Sequence, residues 1–123
     1  MQQFAERRVT LPRQVSFRSM DVVFDLATTH LVPFAASGDT CLFTHKDSEA
    51  FVAACRREGH SILGIECYRD DDKGPTLLPE PIADFSSLTS TPREEFVRQS
   101  CHDALHFIRT MVPAQTLCEF VLG

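Results

Sequence analysis

The chain has no tryptophan, a single tyrosine and only five glycines, and none of its five cysteines stands in a CxxC or CxC pair. Each scarcity excludes something. One tyrosine and few basic residues near the ten phenylalanines make a poor stacking platform for single-stranded nucleic acid. The glycines form no GxxxxGK[ST], GxGxxG or GxSxG pattern, so no phosphate loop, dinucleotide turn or nucleophile elbow is expected. An odd number of unpaired cysteines argues against a disulfide framework or a zinc ribbon. Reduced and mostly buried thiols in a cytoplasmic protein are expected instead. No segment reaches the roughly 18 consecutive apolar residues of a membrane helix. Met1 to Arg8 lacks the apolar stretch of a secretory signal. Positive charge is also in deficit: Lys plus Arg number 12 against 17 Asp plus Glu, a formal charge of −5. That balance suits a basic protein partner, not nucleic acid or a membrane surface.

What is present describes one globular domain. The 123 residues are 43% hydrophobic and 24% charged, enough to build one core and too few for two. Residues 1–37 carry no clear period, apart from a short helix expected from about Ser19 to Thr29. Thr40 to Thr44 reads as a strand after the Ser37-Gly38-Asp39 turn signal. A helix is expected from Asp47, as N-cap, to Glu58. Arg56 and Arg57 complement its dipole, and Gly59 suits the left-handed position after it. Ser61 to Arg69 reads as a strand, with Leu63, Ile65 and Cys67 on one side and Ile62, Gly64, Glu66 and Tyr68 on the other. Asp70-Asp71-Asp72-Lys73 follows, then a long loop punctuated by Gly74-Pro75, Pro79 and Pro81. Within it, Leu77 to Leu88 has the marks of extended chain. Thr91 as N-cap, Pro92 at the first helical position and Glu94 as capping-box partner predict a helix that runs to Met111. Leu117 to Leu122 closes the chain as a strand. The order implies a small α+β domain, a three- to five-stranded sheet packed by two main helices at about 47–58 and 92–111.

Two groups of side chains are candidates for chemistry. His102 and His106 project from one face of the last helix, so a small metal-dependent hydrolase is one reading. Zinc needs three or four ligands, and the neighbouring positions supply no third. Two surface histidines opposite the apolar stripe are therefore expected, with no metal and no cofactor. Cys55, Cys67 and Cys101 fall on apolar faces, where packing accounts for them better than nucleophilic chemistry. The second group is acidic: Glu66, Asp70, Asp71 and Asp72, with Asp84 beyond. Three adjacent aspartates repel one another and prefer water. Such a surface, set before a basic cleft, would speed encounter and give specificity.

The stretch Gly38-Asp39-Thr40-Cys41-Leu42-Phe43, the helix from Ser48 to Gly59 and the strand ILGIECY at 62–68 together resemble the Immunity protein 40 family of bacterial polymorphic-toxin immunity proteins. In that family the strand reads roughly ILGGDVY; here Ile65 replaces the second glycine and Glu66 the aspartate, while Tyr68 is retained. ALHFIRTM at 104–111 and CEFVL at 118–122 are similar to the family's ending. The resemblance spans about residues 38–122 and leaves 1–37 unaddressed. It implies a non-enzymatic antitoxin of the bacterial cytoplasm that binds the C-terminal toxin domain of a larger effector and occludes it. The partner-binding residues expected on this basis are Glu66, Tyr68, Asp70, Asp71, Asp72 and Asp84, a charged rim around an aromatic contact. A dimeric structural or adaptor protein is the further alternative, self-associating through the Leu117–Leu122 strand if that strand lies at a sheet edge.

Overall fold

A computed structural model of the chain describes residues 19–87 and 91–123. Among the described residues three helices and five strands make the small α+β fold expected from the sequence. Helix α1 spans Ser19–Thr29 and buries Val23, Phe24, Leu26 and Ala27 on one side, a helical spacing. The hairpin of β1 (Ala35–Ser37) and β2 (Thr40–Leu42) turns at Gly38, whose φ of 59° is costly for any residue with a Cβ.

Helix α2 spans His45–Glu58 and begins two residues earlier than the sequence suggests. Thr44, not Asp47, is its N-cap. The Thr44 hydroxyl oxygen accepts from the Asp47 amide at 3.2 Å, and the hydroxyl itself donates to the Asp47 carboxylate. Asp47 is thus the reciprocal partner in the first turn, and the preceding strand is correspondingly shorter. The other end matches expectation: Gly59 adopts φ 77° and its amide closes on the last carbonyls.

Strand β3 (Ile62–Asp71) is the centre of a three-stranded antiparallel sheet of order β4-β3-β5, with β4 at Gly74–Asp84 and β5 at Thr116–Leu122. Two expectations change here. The segment from Gly74, expected as a long loop with extended chain from Leu77, is strand β4: the extended chain is found and the loop is not. The strand tolerates three prolines because it is an edge strand, where a missing N–H costs no ladder bond, and because its register shifts by several residues around Leu78–Pro81. The acidic run is no separate loop either: Asp70 and Asp71 are paired in β3, and only Asp72 and Lys73 form the turn. The alternation along β3 also breaks once. An extra residue at Leu63 opposite β5 turns Ile62 into the core beside Ile65 and Cys67.

Helix α3 spans Arg93–Met111. Pro92, not Thr91, sits at the N-cap, with extended ψ of 150° and no side-chain cap hydrogen bond of its own, so the cap falls one residue later than expected. Its buried face is Phe96, Val97, Ser100, Cys101, Ala104 and Ile108, while Met111 ends in solvent. Ser100 accepts from the buried Ile62 amide at 3.0 Å, which ties α3 to the start of β3.

The helices cover one face of the sheet. The core there centres on Phe43, whose ring stacks on Phe51 at 4.6 Å and meets Phe120 edge-on at 5.6 Å. Phe43 also exchanges two backbone hydrogen bonds with Cys118, at 2.9 and 2.8 Å, joining the small hairpin to β5. That bridge occupies the outer edge of β5 at Cys118, the edge through which self-association was expected. All five cysteines are buried and free, as expected for Cys55, Cys67 and Cys101. Among the described residues no helix is long and apolar enough to cross a membrane.

Candidate partner-binding surface

The acidic residues fall into two places. Asp70, Asp71 and Asp72 lie at the end of the β3–β4 hairpin, which forms one wall of a groove of about 820 Å³. Pro33 to Gly38, from the segment leading into β1 and its turn, form the opposite wall, and Leu42, Thr44, Asp47 and Leu117 complete the lining. Four carboxylates, Asp47, Asp70, Asp71 and Asp72, therefore surround an otherwise largely apolar groove, against the single ammonium of Lys73. Asp71 is held by the Arg69 guanidinium at 3.1 Å and by the Thr76 hydroxyl at 2.9 Å. Asp47 is held by Thr44. Among the described residues no side-chain hydrogen bond or ion pair holds the carboxylates of Asp70 and Asp72, and both residues are exposed, so their charge faces outward. Such an arrangement takes a cationic group with an apolar flank.

Glu66 and Tyr68 lie elsewhere, on the sheet face that the helices leave uncovered. Their cross-strand neighbours are Glu119 and Leu117 on β5, and Ile82 and Leu77 on β4. Leu77, Ile82 and Val121 are 52%, 57% and 37% exposed there. The Tyr68 hydroxyl donates to Glu119 at 2.7 Å. Asp84 is separated from the hairpin end and stands on the same sheet face as Glu66, two residues along the strand from it. It pairs with Gly64, six residues along β3 from Asp70, roughly 20 Å at the rise of an extended strand. The Ser86 hydroxyl and amide hold its exposed carboxyl below the usual range. The rim expected from the sequence is thus two surfaces, the hairpin end with Asp70 to Asp72 and the uncovered sheet face with Glu66, Tyr68 and Asp84, and Glu119, Asp47 and the first hairpin were absent from that expectation. The alternation of CEFVL already placed Glu119 opposite the buried Cys118. Nothing local to Thr44 or Ala35 signalled that those residues would face the hairpin end.

Burial, then the Glu119 and Glu66 carboxylates, push the Tyr68 phenol above its ordinary value of 10.0. The folded state therefore holds this proton more tightly than the unfolded chain. The associated stability is complete below pH about 10 and is lost as pH rises beyond it. Tyr68 is the only tyrosine and there is no tryptophan, so ultraviolet absorbance of tyrosinate reads this one group. The folded chain is expected to titrate above the urea-unfolded chain, and Glu119→Gln to bring the midpoint back towards it. Coincident titrations of folded and unfolded chain would show that the phenol is not held in this way.

His102 and His106 are both exposed on α3, and His102 approaches only Asp103, at 3.4 Å. Among the described residues no three His, Cys, Asp or Glu side chains converge on a point that would hold a metal. The described residues thus bring no third ligand to His102 and His106.

A scan against protein-family models finds no matching family, and searches of curated proteins and of solved structures find no match.

Proposed function

We propose that this chain is a protein-binding inhibitor of the immunity type, which neutralises a toxin domain by seating a basic surface of that domain on the acidic hairpin end and its groove. The observation that carries the reading is the groove itself: four carboxylates and an apolar lining, with Asp70 and Asp72 turned outward. A toxin that handles nucleic acid or nucleotides presents a basic active-site cleft, and a negative hairpin end is its electrostatic complement. The sequence motifs at 38–68 and 104–122 support the same reading. The chain would work in the bacterial cytoplasm, beside the toxin it blocks, without catalysis or cofactor.

The test begins with capture on the tagged chain from extract of its own cells, read by mass spectrometry, followed by purification of the captured domain. The captured partner is expected to be a toxin domain of a larger effector, inactive in the complex. Converting Asp70, Asp71 and Asp72 together to Lys should slow association by about tenfold or more at low salt, and the difference should shrink as salt screens it. Thermal stability should change little, because exposed charges contribute about 0–1 kcal/mol each. Unchanged association kinetics at low salt would remove this surface from the reading. Capture of nothing from cells shown to make a candidate toxin would remove the immunity reading itself.

A further inference from the structure

Cys67 and Cys118 stand directly opposite one another on β3 and β5, and neither is exposed to solvent. The kind of pairing follows from the hydrogen bonds. Cys118 directs both its amide and its carbonyl to Phe43, away from β3. In an antiparallel sheet a residue points both groups to the same side, so Cys67 and Cys118 form a non-hydrogen-bonded pair. Side chains approach most closely at such pairs, where Cα atoms lie about 4.5 Å apart, at the short end of the disulfide range of about 4.4–6.8 Å. Both residues are fully buried in the core cluster. Cys55 and Cys101, by contrast, sit on the packed faces of two different helices. From the register and the backbone bonds we infer that Cys67 and Cys118 are a modification site, a buried dithiol that a small hydroperoxide closes to a cross-strand disulfide.

The chemistry balances with hydrogen peroxide as the oxidant. Cys118 is the attacking group, because its thiolate would accept hydrogen bonds from the Cys67 thiol and the Ser48 hydroxyl. Its sulfur takes one peroxide oxygen, the O–O bond breaks, and the departing hydroxide collects a proton and leaves as water. The sulfenic acid on Cys118 then meets the Cys67 sulfur, the S–O bond breaks, and a second water leaves with the Cys67 proton. Two thiols lose two electrons, and one peroxide becomes two waters. A reagent little larger than water suits a pair with no exposed surface, where a bulky disulfide would need the sheet to open. Closure would tie β3 to β5 beneath the Tyr68–Glu119 face and pin the intervening β4 and α3.

The experiment is peroxide treatment of the folded, reduced chain, acid quench, alkylation of remaining thiols and peptide mapping by mass spectrometry. The expected product has lost two hydrogen atoms, carries a Cys67–Cys118 cross-link, and has alkylated Cys41, Cys55 and Cys101. It should form in most molecules before any other cysteine is oxidised. The Cys67→Ala chain should stop at a sulfenic acid on Cys118, trapped by dimedone. If that variant does not fold, the wild-type map decides alone. A cross-link between Cys55 and Cys101, or oxidation that begins at Cys41, would overturn the inference. So would a folded chain that stays fully reduced while its unfolded form oxidises.

Discussion

Phe43→Ala should lower stability by about 3–5 kcal/mol, the cost of removing a fully buried aromatic side chain. Three further rings lose a partner with it: Phe51 at 4.6 Å, Phe120 at 5.6 Å and Phe34 at 6.1 Å. The void would open where the small hairpin, α2 and β5 meet, and backbone bonds to Cys118 flank it on both sides, so collapse into the space is restricted. A domain of this size has about 5–15 kcal/mol of stability in total, so one substitution removes a large share. At roughly 4 °C per kcal/mol, the melting midpoint should fall by more than about 10 °C. Urea denaturation of the variant beside the wild type measures the difference. A loss below about 1 kcal/mol would mean that the aromatic cluster is not the centre of the core. Phe34→Ala, at the half-buried rim of the same cluster, should cost distinctly less.

Gly64→Ala should also destabilise the chain, for a different reason. A Cβ on Gly64 would stand 2.8 Å from the Ala83 carbonyl oxygen, and that atom belongs to the backbone of β4. A flexible side chain could swing aside at little cost, whereas a strand carbonyl moves only with its strand. Alanine would ordinarily gain a few tenths of a kcal/mol over glycine in a strand. Here the clash outweighs that gain, and a net loss of about 1–3 kcal/mol is expected, with Gly64→Val worse. The damage should be local. Amide hydrogen exchange should speed up in β4 near Ile82 and Ala83 while α2 and α3 keep their protection. Equal or greater stability for Gly64→Ala would show that β3 and β4 are farther apart than the structure places them. The same glycine stands in the ILGIECY motif, and its role is now concrete: it admits the edge strand's carbonyl at close range.

Much of the fold was legible because its signals are local. Helix α2 carried its dipole-matched arginines and Gly59 within one stretch, and α3 carried Pro92 at its start and apolar positions at helical spacing from Val97 to Met111. Both were read within one or two residues. The errors at their N-termini have a common cause. Asp47 and Thr91 are plausible caps in sequence, but the caps fall at Thr44 and Pro92, because the path of the preceding chain decides where the first helical turn begins. Strand β4 was harder. Three prolines in eleven residues normally signal a loop, and they are acceptable only on a strand with one open edge. That openness is a property of the sheet order β4-β3-β5, which no window of sequence contains.

The candidate surface divides in the same way. Composition and local run determined that the chain is acidic, that Asp70 to Asp72 are solvated, that Cys55, Cys67 and Cys101 are packed inside, and that His102 and His106 face outward. Those outcomes depend on solvation and on helical or strand period, which each residue carries with its neighbours. The tertiary structure decided which charges stand together. The β3–β4 register carried Asp84 away from Asp70 along the sheet. The bridge from Phe43 to Cys118 placed the first hairpin across from the acidic turn and so made a groove of it. The pairing of β3 with β5 set Glu119 beneath Tyr68 and Cys118 beside Cys67. Each of these contacts joins residues tens of positions apart. Their proximity follows from strand pairing and core packing, and those forces act only once the chain has closed on itself.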